Sequence, residues 1–301
     1  MIIVENGSTD DGLEIARSFT DQRIKPIVAP KSVRGPGAAR NLGLESCSGQ
    51  WVLFLDADDL IEPTSLERRA ECILASEPTA TVVAGDWSEF TDSSEKPTVH
   101  SPIGKTDGLE ILSDCSFAFA PWALHAAVVR RDHLISNHWI LSADKYAGED
   151  TAFWFQVLCP LLNRQNRLDL IRYVDHSGAL YRRHSQFSRD DELKNLMSRF
   201  NSAQSNLNLN LNTAAKNQVQ VSENQFANAF RMLRAICREA KSSPSFDPGT
   251  FKSFQMEARK WLRGTRLLNP RMLYWRMRLG EFRSFATEFR QPKNSLPSLN
   301  S

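Results

Sequence analysis

The most constraining feature of the chain is Trp51-Val52-Leu53-Phe54-Leu55, an uninterrupted apolar run that stops at Asp56-Ala57-Asp58-Asp59. Such a run fits a strand covered on both faces, as in a parallel sheet, where no side chain alternates out to water. Carboxylates placed directly after that strand stand at its carboxyl end, the edge at which open α/β sheets collect ligands.

The flanking segments continue the alternation. Ile2-Ile3-Val4 is β-branched and runs into Glu5-Asn6-Gly7-Ser8-Thr9-Asp10, a cluster of turn formers and caps, after which Leu13, Ile15, Ala16 and Phe19 recur at helical spacing. Ile24 to Val28 reads as a second strand, Arg34-Gly35-Pro36-Gly37 as a loop and Ala38 to Ser46 as a helix. Thr81 to Ala84 and Ala126 to Arg130 read as further strands, and Asp150 to Leu162 as a helix. Strands and helices alternating through short connections predict an α/β fold with a mainly parallel sheet flanked by helices.

A chain of 301 residues accommodates one such domain and an extension. Residues 1–190 are expected to form the α/β domain and 191–225, rich in Asn, Gln and Ser, a polar linker or surface helix. Residues 226–290 read as a basic helical region and 291–301 as a disordered tail. Within 251–290, arginines such as Arg259, Arg263 and Arg276 interleave with Phe251, Trp261 and Trp275. That face either packs on the α/β domain or makes peripheral contact with an anionic membrane surface.

A formal net charge of +2 supplies no overall field for nucleic acid, so no nucleic-acid partner is expected. The five cysteines, Cys47, Cys72, Cys115, Cys159 and Cys237, show no CxxC spacing, which suits a reducing, cytoplasmic compartment better than a disulfide framework or a zinc site. The weakly polar stretch Phe117 to Val129 is shorter than the roughly 18 residues of a bilayer span. Met1 to Val4 lacks the basic region and apolar core of a signal peptide.

The chemistry concentrates in few residues. Asp56, Asp58 and Asp59 offer the hard oxygen ligands that Mn2+ or Mg2+ prefers, and such a cation neutralises the charge that grows on a departing diphosphate. The same acids could instead cap a helix starting near Pro63. Arg40 carries a planar fork suited to oxyanions, unless it is only an exposed cation of its helix. Glu149 and Asp150 open the last helix, where acids either work as proton acceptors or simply complement the helix dipole.

Taken together and in order, these segments resemble glycosyltransferase family 2 with the GT-A fold. Glu5 to Asp10 looks like its nucleotide-binding loop, Ala39-Arg40-Asn41-Leu42-Gly43 like its ARN-x-G helix, and Trp51 to Asp59 like its strand and DxD element. Gly148-Glu149-Asp150-Thr151, followed by Phe153-Trp154-Phe155, resembles the acidic ED motif, and Tyr181-Arg182-Arg183-His184 the Y-R-x-H element. The resemblance implies an inverting, metal-dependent transfer of one sugar from a nucleotide-sugar donor, UDP-linked first of all, to a saccharide or lipid-linked acceptor. It places Glu5, Ser8, Asp10, Arg40, Asp56 and His184 at the nucleotide sugar and Asp58 with Asp56 at the metal. Asp150 becomes the base with Glu149 beside it, and Trp122 an acceptor-side aromatic, with core packing as that ring's other reading.

Two departures accompany the resemblance. The family's first strand has no counterpart, since Met1 falls where the second would begin. Gln186-Phe187-Ser188-Arg189-Asp190 stops short of the QxxRW motif of processive synthases, which favours addition of a single sugar. The rival readings are a non-catalytic GT-A-like binding or scaffolding protein and a nucleotidyltransferase.

Overall fold

The computed structural model describes residues 1–33, 35–76, 80–92, 97–100, 121–136, 149–163 and 170–183, with isolated positions between 205 and 219. The chain divides into two units, Met1–Ser245 and Phe246–Ser301, and every described residue belongs to the first. His184, the basic region with its membrane contact and the tail lie outside the described residues, as does most of 191–225.

The elements follow the predicted alternation. They are β1 (Ile2–Glu5), α1 (Gly12–Ser18), β2 (Lys25–Val28), α2 (Gly35–Ser46), β3 (Trp51–Val52), β4 (Leu60–Ile61) and α3 (Ser65–Ser76). After them come β5 (Val82–Phe90), β6 (Thr98–His100), a 3-10 turn (Leu124–Ala126), β7 (Ala127–Arg130), α4 (Arg131–Ser136), α5 (Glu149–Asn163) and β8 (Ile171–Arg182). Among the described residues no helix is long and apolar enough to cross a membrane.

The strands form two sheets. β1 and β2 pair in parallel, and a six-stranded sheet runs β3-β7-β5-β8-β4 with β6 on the outer half of β5. Within the larger sheet only β5 and β8 are parallel, the other pairs being antiparallel, so the α/β fold holds but the sheet is mixed rather than mainly parallel.

β3 is shorter than its apolar run. Trp51 and Val52 pair with Arg130 and Val129, whereas Leu53, Phe54 and Leu55 have no ladder partner among the described residues. Val52 and Phe54 are buried while Leu55 is 42% exposed, so this run alternates instead of being covered on both faces. Among the described residues β3 stands at the edge of its sheet, with β7 as its one neighbour.

The core lies between the inner half of β5 and α5. Val82, Val83 and Ala84 are fully buried: Val82 and Ala84 share one cluster with Phe153, Trp154 and Phe155, while Val83 belongs to a second with Val128 and Val174. Trp122 meets Trp154 edge-on at 5.1 Å and Phe54 meets Phe153 edge-on at 5.6 Å. Each such aromatic pair adds roughly 0.5–1.5 kcal/mol beyond its buried area. Phe153 stands one helical turn after Glu149, so the contact that covers Phe54 also draws the start of α5 towards the residues following β3.

β5 and β8 are interrupted midway. Gly85 pairs with Val174 and Trp87 with Ala179, leaving Asp86 opposite Asp175, His176, Ser177 and Gly178. The bulge is stitched by the Ser177 amide donating to Asp86 Oδ1 at 2.7 Å and by the Ser177 hydroxyl donating to the Asp86 carbonyl. Gly178 adopts φ 70°, a region that side chains rarely enter. At Gly85 the strands approach so closely that a Cβ would lie 2.5 Å from Ser177 Cβ and 2.7 Å from the Val174 carbonyl oxygen. Gly85→Ala is therefore expected to destabilise the chain by about 1–3 kcal/mol or more, as overpacking of a close strand contact does. A urea titration followed by circular dichroism would show it as a lower midpoint at an unchanged slope.

Candidate active site

Three stretches converge around Arg40. α2 carries Arg40 inward, where Nε donates to Asp56 Oδ1 at 3.0 Å and Nη2 to both Asp56 oxygens at 2.8 and 2.7 Å. Nη1 donates at 3.0 Å to Glu149 Oε1. The arginine side chain is 13% exposed and that of Glu149 8%, while that of Asp56 is 37% exposed. Burial disfavours the charge on Arg40, but Asp56, Glu149 and Asp150 outweigh it and its pKa is raised.

The acids are not equivalent. Carboxylate oxygens of Asp56, Asp58 and Asp59 lie within 4.8 Å of one another. Asp59 is buried, with Oδ1 accepting the Arg182 amide at 2.8 Å and Oδ2 facing His125 Nδ1 at 3.1 Å. Asp56 is gripped by Arg40, and Asp58 is exposed. Asp59 thus anchors the loop, whereas Asp58 presents its carboxylate outward.

The anchor has its own support, which the sequence reading did not assign. Arg69, on α3 and 1% exposed, donates to the carbonyls of Ser177 at 2.9 Å and His125 at 2.8 Å. His125 is equally buried, and its ring lies parallel to Tyr181 at 6.4 Å between centroids. Arg182 Nε donates to the Asp58 carbonyl at 2.8 Å, and its guanidinium covers Phe90 at 4.8 Å and reaches Asp92. A histidine between apolar residues and an arginine in an amphipathic helix offer no sequence pattern that marks them as such supports.

Around β1 the predicted loop is built by its own side chains. Glu5 Oε1 accepts the amides of Gly7 and Ser8, and Asp10 Oδ1 accepts the Gly12 amide at 3.1 Å as α1 begins. Ser8 and Asp10 are exposed. Asn6 Nδ2 donates at 3.0 Å to the Gly35 carbonyl, tying this loop to the start of the helix that bears Arg40. Trp122, expected on the acceptor side, is instead 1% exposed in the core against Trp154. The packing alternative accounts for its position.

Glu149 and Asp150 have raised pKa values, Glu149 to about 7 and Asp150 to about 6. Burial is the leading cause for both. Arg40 opposes it, but its charge is shared with Asp56, and the neighbouring carboxylates add repulsion. A carboxyl with a raised folded pKa holds its proton in the folded chain after the unfolded chain has lost it, so stability falls as pH rises. The contribution is full below the unfolded values near 4 and is lost through about 6 to 7. In metal-free buffer the melting temperature should include a fall across this window, and Glu149→Gln and Asp150→Asn should each flatten it. Profiles identical to wild type would contradict the assignment.

Residues 1–131 match the sequence profile of Glycosyl transferase family 2. That match covers the first 131 of the 301 residues, and the GT-A expectation for the fold holds. Among curated relatives, the chain is 27% identical over 202 residues to the Escherichia coli glycosyltransferase YibD, covering 63% of this chain and 57% of YibD. It is 40% identical over 76 residues to a Haemophilus influenzae glycosyltransferase, covering 25% of this chain and 30% of the relative. A third, the putative glycosyltransferase EpsH of Bacillus subtilis, is 35% identical over 108 residues, covering 35% of this chain and 30% of EpsH. The chain thus spans from under a third to just over half the length of these relatives. The solved structure of Staphylococcus aureus TarS 1-349 in complex with UDP superposes with a TM-score of 0.51 at 17% identity, covering 87% of this chain and 68% of TarS.

Proposed function

We propose that the chain transfers a single sugar, with inversion, from a nucleotide-sugar donor to a saccharide or lipid-linked acceptor. The observation that carries this reading is the carboxylate cluster of Asp56, Asp58 and Asp59 beyond β3, within the residues that match the Glycosyl transferase family 2 profile. UDP is the first donor nucleotide to test, because the TarS structure of the same fold holds it.

The donor set fits Mn2+ or Mg2+, being carboxylate oxygens with one exposed member. Asp58 would be the leading ligand and Asp56 the second, since both Asp59 oxygens face protein partners. When bound, such an ion supplies positive charge to the diphosphate as the glycosidic bond breaks. Arg40 fixes Asp56 and Glu149, and the loop of Glu5, Ser8 and Asp10 offers polar groups to the nucleotide. His184 completes this set by the family resemblance.

In the transfer step the acceptor oxygen bonds to the anomeric carbon while the bond to the diphosphate breaks, the leaving nucleotide taking the electron pair. The hydroxyl proton passes to Asp150. A carboxyl whose pKa is raised to about 6 is a stronger base than an ordinary aspartate and is still ionised near neutral pH. Glu149, bonded to Arg40, holds the start of α5 beside it.

Asp58→Asn should abolish metal-dependent transfer in a folded protein, because a neutral amide is a poor ligand for a hard cation. Turnover of UDP-sugars against Mn2+ concentration measures it, and wild-type turnover in the variant would refute the ligand assignment. Asp150→Asn should keep UDP affinity, read by calorimetry, while turnover drops about 100-fold or more, as loss of a general base does. A matching loss of affinity would make Asp150 a binding residue instead.

A further inference from the structure

We propose that the outer halves of β5 and β8 form an acceptor subsite for a neutral pyranoside, built from Tyr181, Glu89, Trp87, His100 and Arg183. The inference rests on the glycosyltransferase reading above and adds the surface on which the sugar that receives the transfer would lie.

Register places the residues together. Beyond the bulge Glu89 pairs with Tyr181 and Trp87 with Ala179, while Trp87 also pairs with His100 of β6. Paired residues share a face, so Trp87, Glu89, His100 and Tyr181 stand on one side of the sheet and Ser88, Phe90 and Arg182 on the other. Tyr181 lies parallel to His125, which faces Asp59, so this side adjoins the acidic centre. Burial raises the Tyr181 pKa, and Asp59, Asp150, Asp58 and Asp56 raise it further, as expected of a phenol beside that centre.

The groups also have the chemistry of a sugar site. Glu89 pairs with Arg183, Oε2 lying 3.3 Å from Nη1, and its Oε1 lies 3.4 Å from His100 Nε2, a buried nitrogen that this contact leaves without a hydrogen bond. Trp87 and His100 stack at 5.3 Å with 16° between planes, and Tyr181 is 40% exposed. A pyranoside offers hydroxyls to a fixed carboxylate and a C–H face to flat rings. Glu89 and Arg183 offset one another and the phenol stays protonated, so the strip favours a neutral sugar over a phosphorylated one. Stability alone gives little reason for the arrangement, because the Arg183 side chain is 71% exposed and ion pairs so open to solvent contribute little.

The test uses the whole chain. Methyl glycosides of glucose, galactose, mannose and N-acetylglucosamine, with glucose 6-phosphate as the charged comparison, are titrated by saturation-transfer NMR, and UDP with Mn2+ by calorimetry. At least one neutral glycoside should bind, more tightly than the phosphate ester. Glu89→Gln should weaken it about tenfold, the scale of one charge-assisted hydrogen bond, and Tyr181→Phe should weaken it as well. Ser88→Ala, on the opposite face, should bind like wild type, and Glu89→Gln should bind UDP with Mn2+ unchanged. Circular dichroism checks that each variant is folded. The subsite is overturned if no neutral glycoside binds, if the phosphate ester binds best, or if folded Glu89→Gln and Tyr181→Phe bind as wild type does. Failure of wild type to bind UDP with Mn2+ counts against the donor reading, and the glycoside titrations still decide the subsite.

Discussion

The described site depends on one cation. Arg40 is a nearly buried guanidinium whose fork is spent on Asp56 and Glu149, with Asp150 close enough to shift its pKa. It thereby joins α2, the residues after β3 and the start of α5 at a single point. A buried charge that loses its partner costs several kcal/mol, so these segments cannot separate without leaving uncompensated carboxylates. One positive group among three acids also leaves the centre short of positive charge. The raised pKa values of Glu149 and Asp150 are the same shortage expressed as proton affinity.

A second set of contacts fixes the acidic loop from behind. Arg69 holds the carbonyls of His125 and Ser177, the His125 ring faces Asp59, and Asp59 accepts the amide of Arg182. Arg182 closes the circuit at the Asp58 carbonyl. An arginine buried among carbonyls, with its pKa lowered to about 10 mainly by burial, is an expensive way to hold a loop. It gives rigidity through directed hydrogen bonds, so Asp58 can stay exposed without its backbone wandering.

Much of this was legible in the sequence, for physical reasons. The strand, loop and helix order around Glu5, Arg40 and Asp56 followed from period and turn chemistry, which are local properties. The place of Glu149 and Asp150 at the start of α5 was legible because two acids stand directly before an apolar, aromatic run. What was not legible depends on partners far apart in the chain. The run after Trp51 looked doubly covered, but burial depends on neighbours, and Leu55 is exposed. The parallel sheet was read from alternation, yet β7 returns antiparallel. Trp122 is equally apt as a sugar platform or a core residue by type, and only packing against Trp154 separates the two. The different duties of Asp56, Asp58 and Asp59 come from Arg40, His125 and Arg182, whose approach no spacing records.

The bulge between β5 and β8 has a consequence of parity. β8 carries three more residues than β5 between the two ladders, an odd number, so odd-numbered side chains such as Tyr181 stand beside Glu89. An even surplus would turn Leu180 and Arg182 to that side and send Tyr181 to the other face. Arg182 would then lose its hold on the acidic loop at the moment Tyr181 left it. A single-residue insertion or deletion between Asp175 and Gly178 therefore acts as an inversion of everything beyond it, which no substitution there does. The length of this short segment is thus constrained together with the composition of its second half, where Ser177 is buried and Gly178 has a positive φ, even though Asp175 and His176 lie at the surface.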